Sequence, residues 1–182
     1  MRLDQYPDGG EWTVSEIDEF PEDNHRREVV EGSLILRPAQ TPRHSSLVMH
    51  ICGALDRTRP EAFDVVHGMQ IRFAENTALV PDLVAVRADC KPMTTTFFDP
   101  EDVVLAVEVV DDRSRFLDRV LKPAIYAAAG IPHFWRVESA GAVVHAHRLD
   151  PDKAEYLRMS AIEARIRVRQ PWEVDAPLAT RI

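Results

Sequence analysis

The 182-residue sequence predicts a mixed α/β domain built on one sheet, and three observations carry that prediction. Apolar residues Leu47, Val48, Ile51 and Leu55 recur at helical spacing inside TPRHSSLVMHICGALDRTRP. DVVLAVEVV, 102–110, is a short apolar run, interrupted after its opening Asp102 only by Glu108, of the kind that forms a buried strand. Beyond residue 133 the chain reads as short strands separated by turn signals, so a helix, hairpins, a buried strand, a second helix and a β-rich tail follow one another in a single domain, 1–182.

The elements follow in order. TVSEIDEF, 13–20, predicts a short helix with Thr13 as N-cap and Glu16 in capping-box spacing, stopped by Pro21. REVVEGSLILRP is β-rich with a turn at Gly32 and Ser33, and the helix after it closes at Pro60. FDVVHGMQIRF and LVPDLVAVRA read as two strands joined through Glu75 and Asn76, and KPMTTTFFDPED, 91–102, reads as a surface loop. After the buried strand, residues 113–129 predict a helix ended by Gly130, with Leu117, Val120, Leu121, Ala124, Ile125 and Ala128 as its apolar face. Pro123 removes a backbone donor and disfavours the α region at Lys122, which predicts a kink or a fresh helix start there. HFWRVE (133–138), AVVHAHRL (142–149), EYLRMS (155–160) and ARIRVRQ (164–170) read as strands, with turns at Ala140-Gly141 and Pro151-Asp152.

Composition narrows the function. With 45% hydrophobic residues, 22 Lys and Arg, 30 Asp and Glu and a net charge of −8, the chain is neither disordered nor fibrous. The charge is concentrated: residues 1–23 hold eight acids and one base, Arg2, and the remaining 159 residues hold 21 bases and 22 acids. An overall basic footprint for nucleic acid is therefore absent, and a locally positive face is not excluded. No run approaches the roughly 20 apolar residues of a membrane span, and the start lacks a signal-peptide core, so a cytoplasmic protein is expected. Cys52 and Cys90 stand in unrelated contexts and support neither a disulfide framework nor a zinc ribbon.

Two acids stand where strands should be apolar: Asp82 in LVPDLVAV and Glu108 in VVLAVEVV. A buried carboxylate costs several kcal/mol unless a cation compensates it. The plain alternative for Asp82 is a solvated strand end, since Pro81 confines its strand to an edge or a start. Asp118, Lys122 and Tyr126 fall at i, i+4 and i+8, one line along the helix after the buried strand, whose plain alternative is an exposed ion pair.

The ordered set PDLVAV, VEVV and D-x-x-x-K-x-x-x-Y-x-x-x-G-I-P-x-x-W resembles the Uma-two-type family of restriction-endonuclease-like proteins, within the PD-(D/E)XK nuclease superfamily. RREVVEGSL and TPRH share in it, so it runs from about residue 13 to about residue 150, and LDRVLKPAIYAAAGIPHFW, 117–135, is its most specific part. The resemblance implies a restriction-endonuclease-like fold, a central mixed sheet flanked by helices with a β-rich C-terminal part. It also implies a metal-dependent nuclease, with DNA as the expected substrate. Asp82 becomes the motif Asp, Glu108 the motif acid and Lys122 the motif Lys, displaced to the helix because Val110 stands two residues after the acid. Glu28 matches the acid near the first strand and would complete a metal site, with Glu31 as its competitor. His44, in TPRH, would approach phosphate, and Asp118 and Tyr126 would support the site. Asp111 stands where the family commonly has Ser.

Phosphodiester hydrolysis explains these residue types. Mg²⁺, or Mn²⁺, held by hard carboxylate oxygens activates water and neutralises charge at phosphorus, and Lys122 would hold the water or offset the oxyanion. Without metal the acids should repel one another, so neutralising Asp82 or Glu108 should leave the fold intact or raise its stability. If Lys122 is not the lysine, Arg113 and Arg119 are the nearest cations. His145 and His147 share a strand face with no third ligand. Arg165, Arg167 and Arg169 give one strand a basic face that would follow a nucleic-acid backbone or simply be solvated. Trp135 and Phe134 belong in the core. The alternatives to a nuclease are a nucleic-acid-binding protein on the same fold without activity, and a dimeric interaction module, a homodimer whose acidic amino-terminal segment docks a basic partner.

Overall fold

The computed structural model describes residues 10–20, 26–37, 39–92, 94–110 and 112–178. Asp111, Pro21 and most of the acidic amino-terminal segment lie outside the described residues.

The capping box forms as its spacing predicts. In α1 (Val14–Asp18) the Thr13 hydroxyl accepts from the Glu16 N–H at 3.3 Å, and the Glu16 carboxylate accepts from the Thr13 N–H at 2.8 Å. Strands β1 (Arg27–Val30) and β2 (Ser33–Leu36) form an antiparallel hairpin. Its turn falls on Glu31 and Gly32, one residue earlier than expected, because both carry the positive φ (47° and 74°) of a two-residue hairpin turn. A Cβ at Gly32 would also lie 2.8 Å from the Glu11 Cβ, so only glycine fits. In α2 (Pro42–Thr58) the Thr41 hydroxyl caps the His44 N–H and Pro42 opens the first turn.

The next two predicted strands are four. β3 (Phe63–His67) and β4 (Gln70–Ala74) are separated at Gly68, whose φ is 66°; β5 (Thr77–Leu79) and β6 (Leu83–Arg87) are separated at Pro81 and Asp82. β3 pairs with β6, while β4 pairs with β5 around Glu75 and Asn76, so one long hairpin forks between two sheets. The fork lies where Gly68 permits a corner and Pro81 lacks the N–H to continue a ladder.

Among the described residues the chain therefore builds three sheets, not the single one its pattern suggests. One has the order β2-β1-β5-β4-β7, where β7 (Phe97–Phe98) and a 3₁₀ turn, Pro100–Asp102, lie within the predicted loop. The central six-stranded sheet has the order β11-β10-β9-β8-β6-β3, with β8 (Val103–Val110), β9 (His133–Glu138), β10 (Val143–Asp150) and β11 (Glu155–Glu163). β8 and β9 run parallel and the other pairs antiparallel, which makes this sheet mixed. The third is a ribbon of β12 (Arg165–Val168) and β13 (Val174–Pro177), the latter without a strand signal strong enough to be predicted. Strand alternation divides the core. Leu105, Val107, Val109 and Trp135 pack toward α2 and Trp172, while Ala106 and Phe134 pack with Tyr126 and Ile131 on the other face.

The β8–β9 crossover is inside out relative to its hydrophobic pattern. A π-helical turn, Leu117–Leu121, leads into α3 (Lys122–Ala128), and the Lys122 N–H bonds the carbonyl of Leu117, five residues back. Pro123 thus sits in the first turn of a new helix, where its missing donor costs little. The predicted apolar face is not the buried one: Val120 is 54% exposed, the adjacent Phe116 67%, and Ala124 and Ala128 also face solvent. Asp118, Lys122 and Tyr126 are the fully buried line. Periodicity weighs side chains by hydropathy alone, and these three are drawn inward by charged partners on distant strands.

Candidate functional site

Asp82 stands at the fork of the hairpin, directly before β6, and its own N–H donates to the Val107 carbonyl of β8 at 3.1 Å. Its carboxylate accepts at both oxygens. Oδ1 receives Arg26 Nη1 at 2.8 Å and Gln40 Nε2 at 3.2 Å; Oδ2 receives the Val109 N–H at 2.8 Å and His44 Nε2 at 3.1 Å. A carboxylate only accepts, so Nε2 carries the His44 proton in this contact. Asp82 is buried, which excludes the solvated strand end.

Glu108 faces α3 because the strand alternation that sends Val107 and Val109 to the α2 side sends it to the other. Its Oε1 accepts from Lys122 Nζ at 2.9 Å and from the Tyr126 hydroxyl at 2.6 Å. The same ammonium lies 2.7 Å from Glu28 Oε1, which also accepts the Val80 N–H at 2.8 Å. Arg37 closes the ring, with Nη2 3.1 Å from Asp118 Oδ1 and Nε 3.7 Å from Glu28 Oε2. Four buried carboxylates, Glu28, Asp82, Glu108 and Asp118, thus meet Arg26, Arg37 and Lys122. The protein's own cations supply compensation in this arrangement.

Burial acts on each group and its neighbours decide the outcome. For Asp82, burial alone would raise the pKa, but His44 and Arg26 outweigh it and hold the carboxyl well below the usual carboxylate range. Glu108 goes the other way: burial pushes it up, Lys122 opposes, and Asp118, Asp82 and Glu28 add to the rise. Burial would lower Lys122, yet Glu108 and Glu28 turn the net shift upward, so the ammonium stays charged. Because the folded value of Asp82 is depressed, its contribution to stability is fully present above the ordinary carboxylate value and is lost progressively as pH falls from there toward the lower folded value. Urea unfolding between about pH 5 and about pH 2 should therefore show a steeper loss of stability for the wild type than for Asp82→Asn. Equal slopes would contradict the ionised, partnered Asp82 described here.

All seven predicted residues, Glu28, His44, Asp82, Glu108, Asp118, Lys122 and Tyr126, converge. Glu31 does not; it lies exposed in the β1–β2 turn, which separates it from Glu28. Arg119 pairs with Glu138 at 2.7 Å and Arg113 reaches the Ala39 carbonyl, so neither takes the place of Lys122. Asp118 and Lys122 are enclosed rather than an exposed pair. His147 stacks on Phe134 at 5.6 Å, and Arg165 and Arg167 both pair with Asp175. Three members escaped sequence reading: Arg26, Arg37 and Gln40. The signal that could have found them is charge balance, since one lysine cannot neutralise four buried acids and Arg26 and Arg37 flank the hairpin that carries Glu28.

The donor set fits a hard divalent cation in type. Glu28 Oε2 and Glu108 Oε2 are buried without a hydrogen-bond partner, and both are carboxylate oxygens. As the side chains lie, however, no group of three or more His, Cys, Asp or Glu among the described residues is arranged to hold a metal ion.

The family model described as "Uma2: Putative restriction endonuclease" matches residues 14–179. Among solved structures, the crystal structure of a "putative nuclease belonging to DUF820" from Anabaena variabilis ATCC 29413 has a TM-score of 0.67 at 14% identity. The match covers 88% of this chain and 89% of that one, a likeness of fold across nearly the whole of both. No match was found among curated proteins. With the family model matched over nearly all of its length and the fold shared with that neighbour, the chain belongs to the Uma2 family of restriction-endonuclease-like proteins.

Proposed function

We propose that this chain is a metal-dependent nuclease that hydrolyses phosphodiester bonds in DNA. The observation that carries the reading is the union of Asp82, Glu108 and Lys122, distant in sequence, in one buried unit: Val109, next to Glu108, donates to Asp82, and Lys122 donates to Glu108 at 2.9 Å. Asp82 and Glu108, with Glu28, are the residues that would hold Mg²⁺ or Mn²⁺. When bound, such an ion supplies Lewis acidity toward a phosphoryl oxygen and lowers the pKa of water.

The chain's own groups do the rest. Tyr126 and Lys122 fix Glu108 through Oε1 and leave Oε2 as the oxygen that would hold the ion. Lys122 places a permanent positive charge beside the developing oxyanion. His44 and the Val109 N–H orient Asp82, and Arg37 holds Glu28 and Asp118 in place. No helix among the described residues is long and apolar enough to cross a membrane, and we place the protein in the cytoplasm.

A second reading, a nucleic-acid-binding module without turnover, is favoured by one observation: both Asp82 oxygens are already engaged by protein donors. Incubation with supercoiled plasmid separates the two. Nicked and linear products should appear with Mg²⁺ or Mn²⁺ and vanish with EDTA. Retarded but uncut DNA under every metal condition would favour the second reading, and neither binding nor cleavage of DNA or RNA would remove both.

A further inference from the structure

The cations of the site are of two kinds. Lys122 and Arg37 are enclosed, with side chains 0% and 6% exposed, and each reaches two or more acids. Arg26 is different. Its side chain is 21% exposed, among the described residues it pairs with Asp82 alone, and its Nη2 also donates to the Pro81 carbonyl at 3.2 Å. The donors on Asp82 divide in the same way. Oδ2 is held by a main-chain N–H of the central sheet and by the buried His44, whereas Oδ1 is held by Arg26 and the exposed, neutral Gln40. Oδ1 is thus the oxygen held by the two donors that reach solvent, and the charged one of them is the least enclosed cation of the site.

We infer that Arg26 is the exchangeable cation of this site, neutralising Asp82 in the free protein and leaving Oδ1 when a divalent ion takes it. The inference rests on the metal-dependent reading above. Two cations cannot share one carboxylate oxygen at contact distance without strong repulsion, and neither Lys122 nor Arg37 has a solvated position to retreat to. Arg26 therefore sets the affinity of the site for cations, and its removal should tighten binding even though it removes an ion pair. A merely structural arginine has the opposite signature, because losing it would disorder Asp82 and weaken binding.

Calorimetric titration with Mn²⁺ alone tests this on the full chain. Arg26→Gln should bind Mn²⁺ at least about tenfold more tightly than wild type, the effect of removing a unit like charge from the edge of the site. Arg26→Lys, which keeps the charge, and Gln40→Ala, which frees space on the same oxygen without changing charge, should each stay within about threefold of wild type. Arg26→Gln binding as weakly as wild type, or more weakly, while wild type binds, overturns the inference and leaves the nuclease reading standing; no Mn²⁺ binding by either protein overturns both. Should Arg26→Gln fail to fold, wild type answers alone. Saturating Mn²⁺ should speed modification of Arg26 by phenylglyoxal, followed by mass spectrometry, and an unchanged or slower rate overturns the inference.

Discussion

Lys122→Met is expected to lower cleavage by at least about a hundredfold and to destabilise the fold by about 3–5 kcal/mol. The loss of activity follows from removing a preorganised positive charge. The loss of stability follows from burial: the ammonium lies 2.7 Å from Glu28 and 2.9 Å from Glu108, and methionine would leave both carboxylates without their shared partner. An ammonium is no ligand, so metal binding should survive the substitution, and it is enclosure that adds the cost to the fold. The measurement must therefore separate folding from chemistry. Adding Glu108→Gln to Lys122→Met removes one of the stranded charges, so the double variant should recover part of the urea midpoint and none of the activity. Full cleavage by folded Lys122→Met would show that another cation does the work.

Asp82→Asn should abolish both cleavage and the thermal stabilisation given by Mn²⁺, and should also lower the stability of the metal-free protein by about 2–5 kcal/mol. The second effect reverses the expectation that removing a crowded charge is harmless or helpful. Asp82 is held in its ionised form by His44 and Arg26, so an amide forfeits those contacts and strands a guanidinium. Glu108→Gln should behave differently. Burial, the largest influence on Glu108, favours its neutral form, so a neutral isostere should cost the metal-free fold much less than Asp82→Asn does. Differential scanning calorimetry of the two variants with and without Mn²⁺ checks both statements. Equal metal-induced shifts in wild type and both variants would sink the assignment of the ligands.

The fold was legible wherever local chemistry and tertiary packing agree. Thr13 and Glu16 announce a capping box that forms, HFWRVE is strand β9 to the residue, and Trp135 and Phe134 pack on opposite faces of the sheet. It was illegible where the reason for a structure lies elsewhere in the chain. Gly68 and Pro81 mark where the long hairpin can fork, but nothing local says that its two halves join different sheets. The helical crossover was read with the wrong face inward because Val120, Ala124 and Ala128 are apolar, whereas Asp118 and Lys122 are buried by Arg37, Glu28 and Glu108. The site itself was more legible than the helix that carries it. Acids in apolar strands are anomalies that a sequence displays openly, while Arg26, Arg37 and Gln40 look like ordinary surface residues until the carboxylates they meet are brought beside them.

The wide turn at Leu117–Leu121 makes angular phase a property of this site. In an α-helix each residue advances the chain by about 100° and 1.5 Å, and a π turn absorbs one residue more than an α turn over the same arc. That surplus sets the azimuth at which Lys122 and Tyr126 leave the helix to meet Glu108. Wound as a regular α-helix over the same residues, the chain would carry the same acids, the same lysine and the same tyrosine, with Lys122 and Tyr126 turned by about 100° away from Glu108. Its inventory of reactive groups would be unaltered and its gearing lost. Spacing across the crossover is thus as much a determinant of the chemistry as the identity of any one side chain in it.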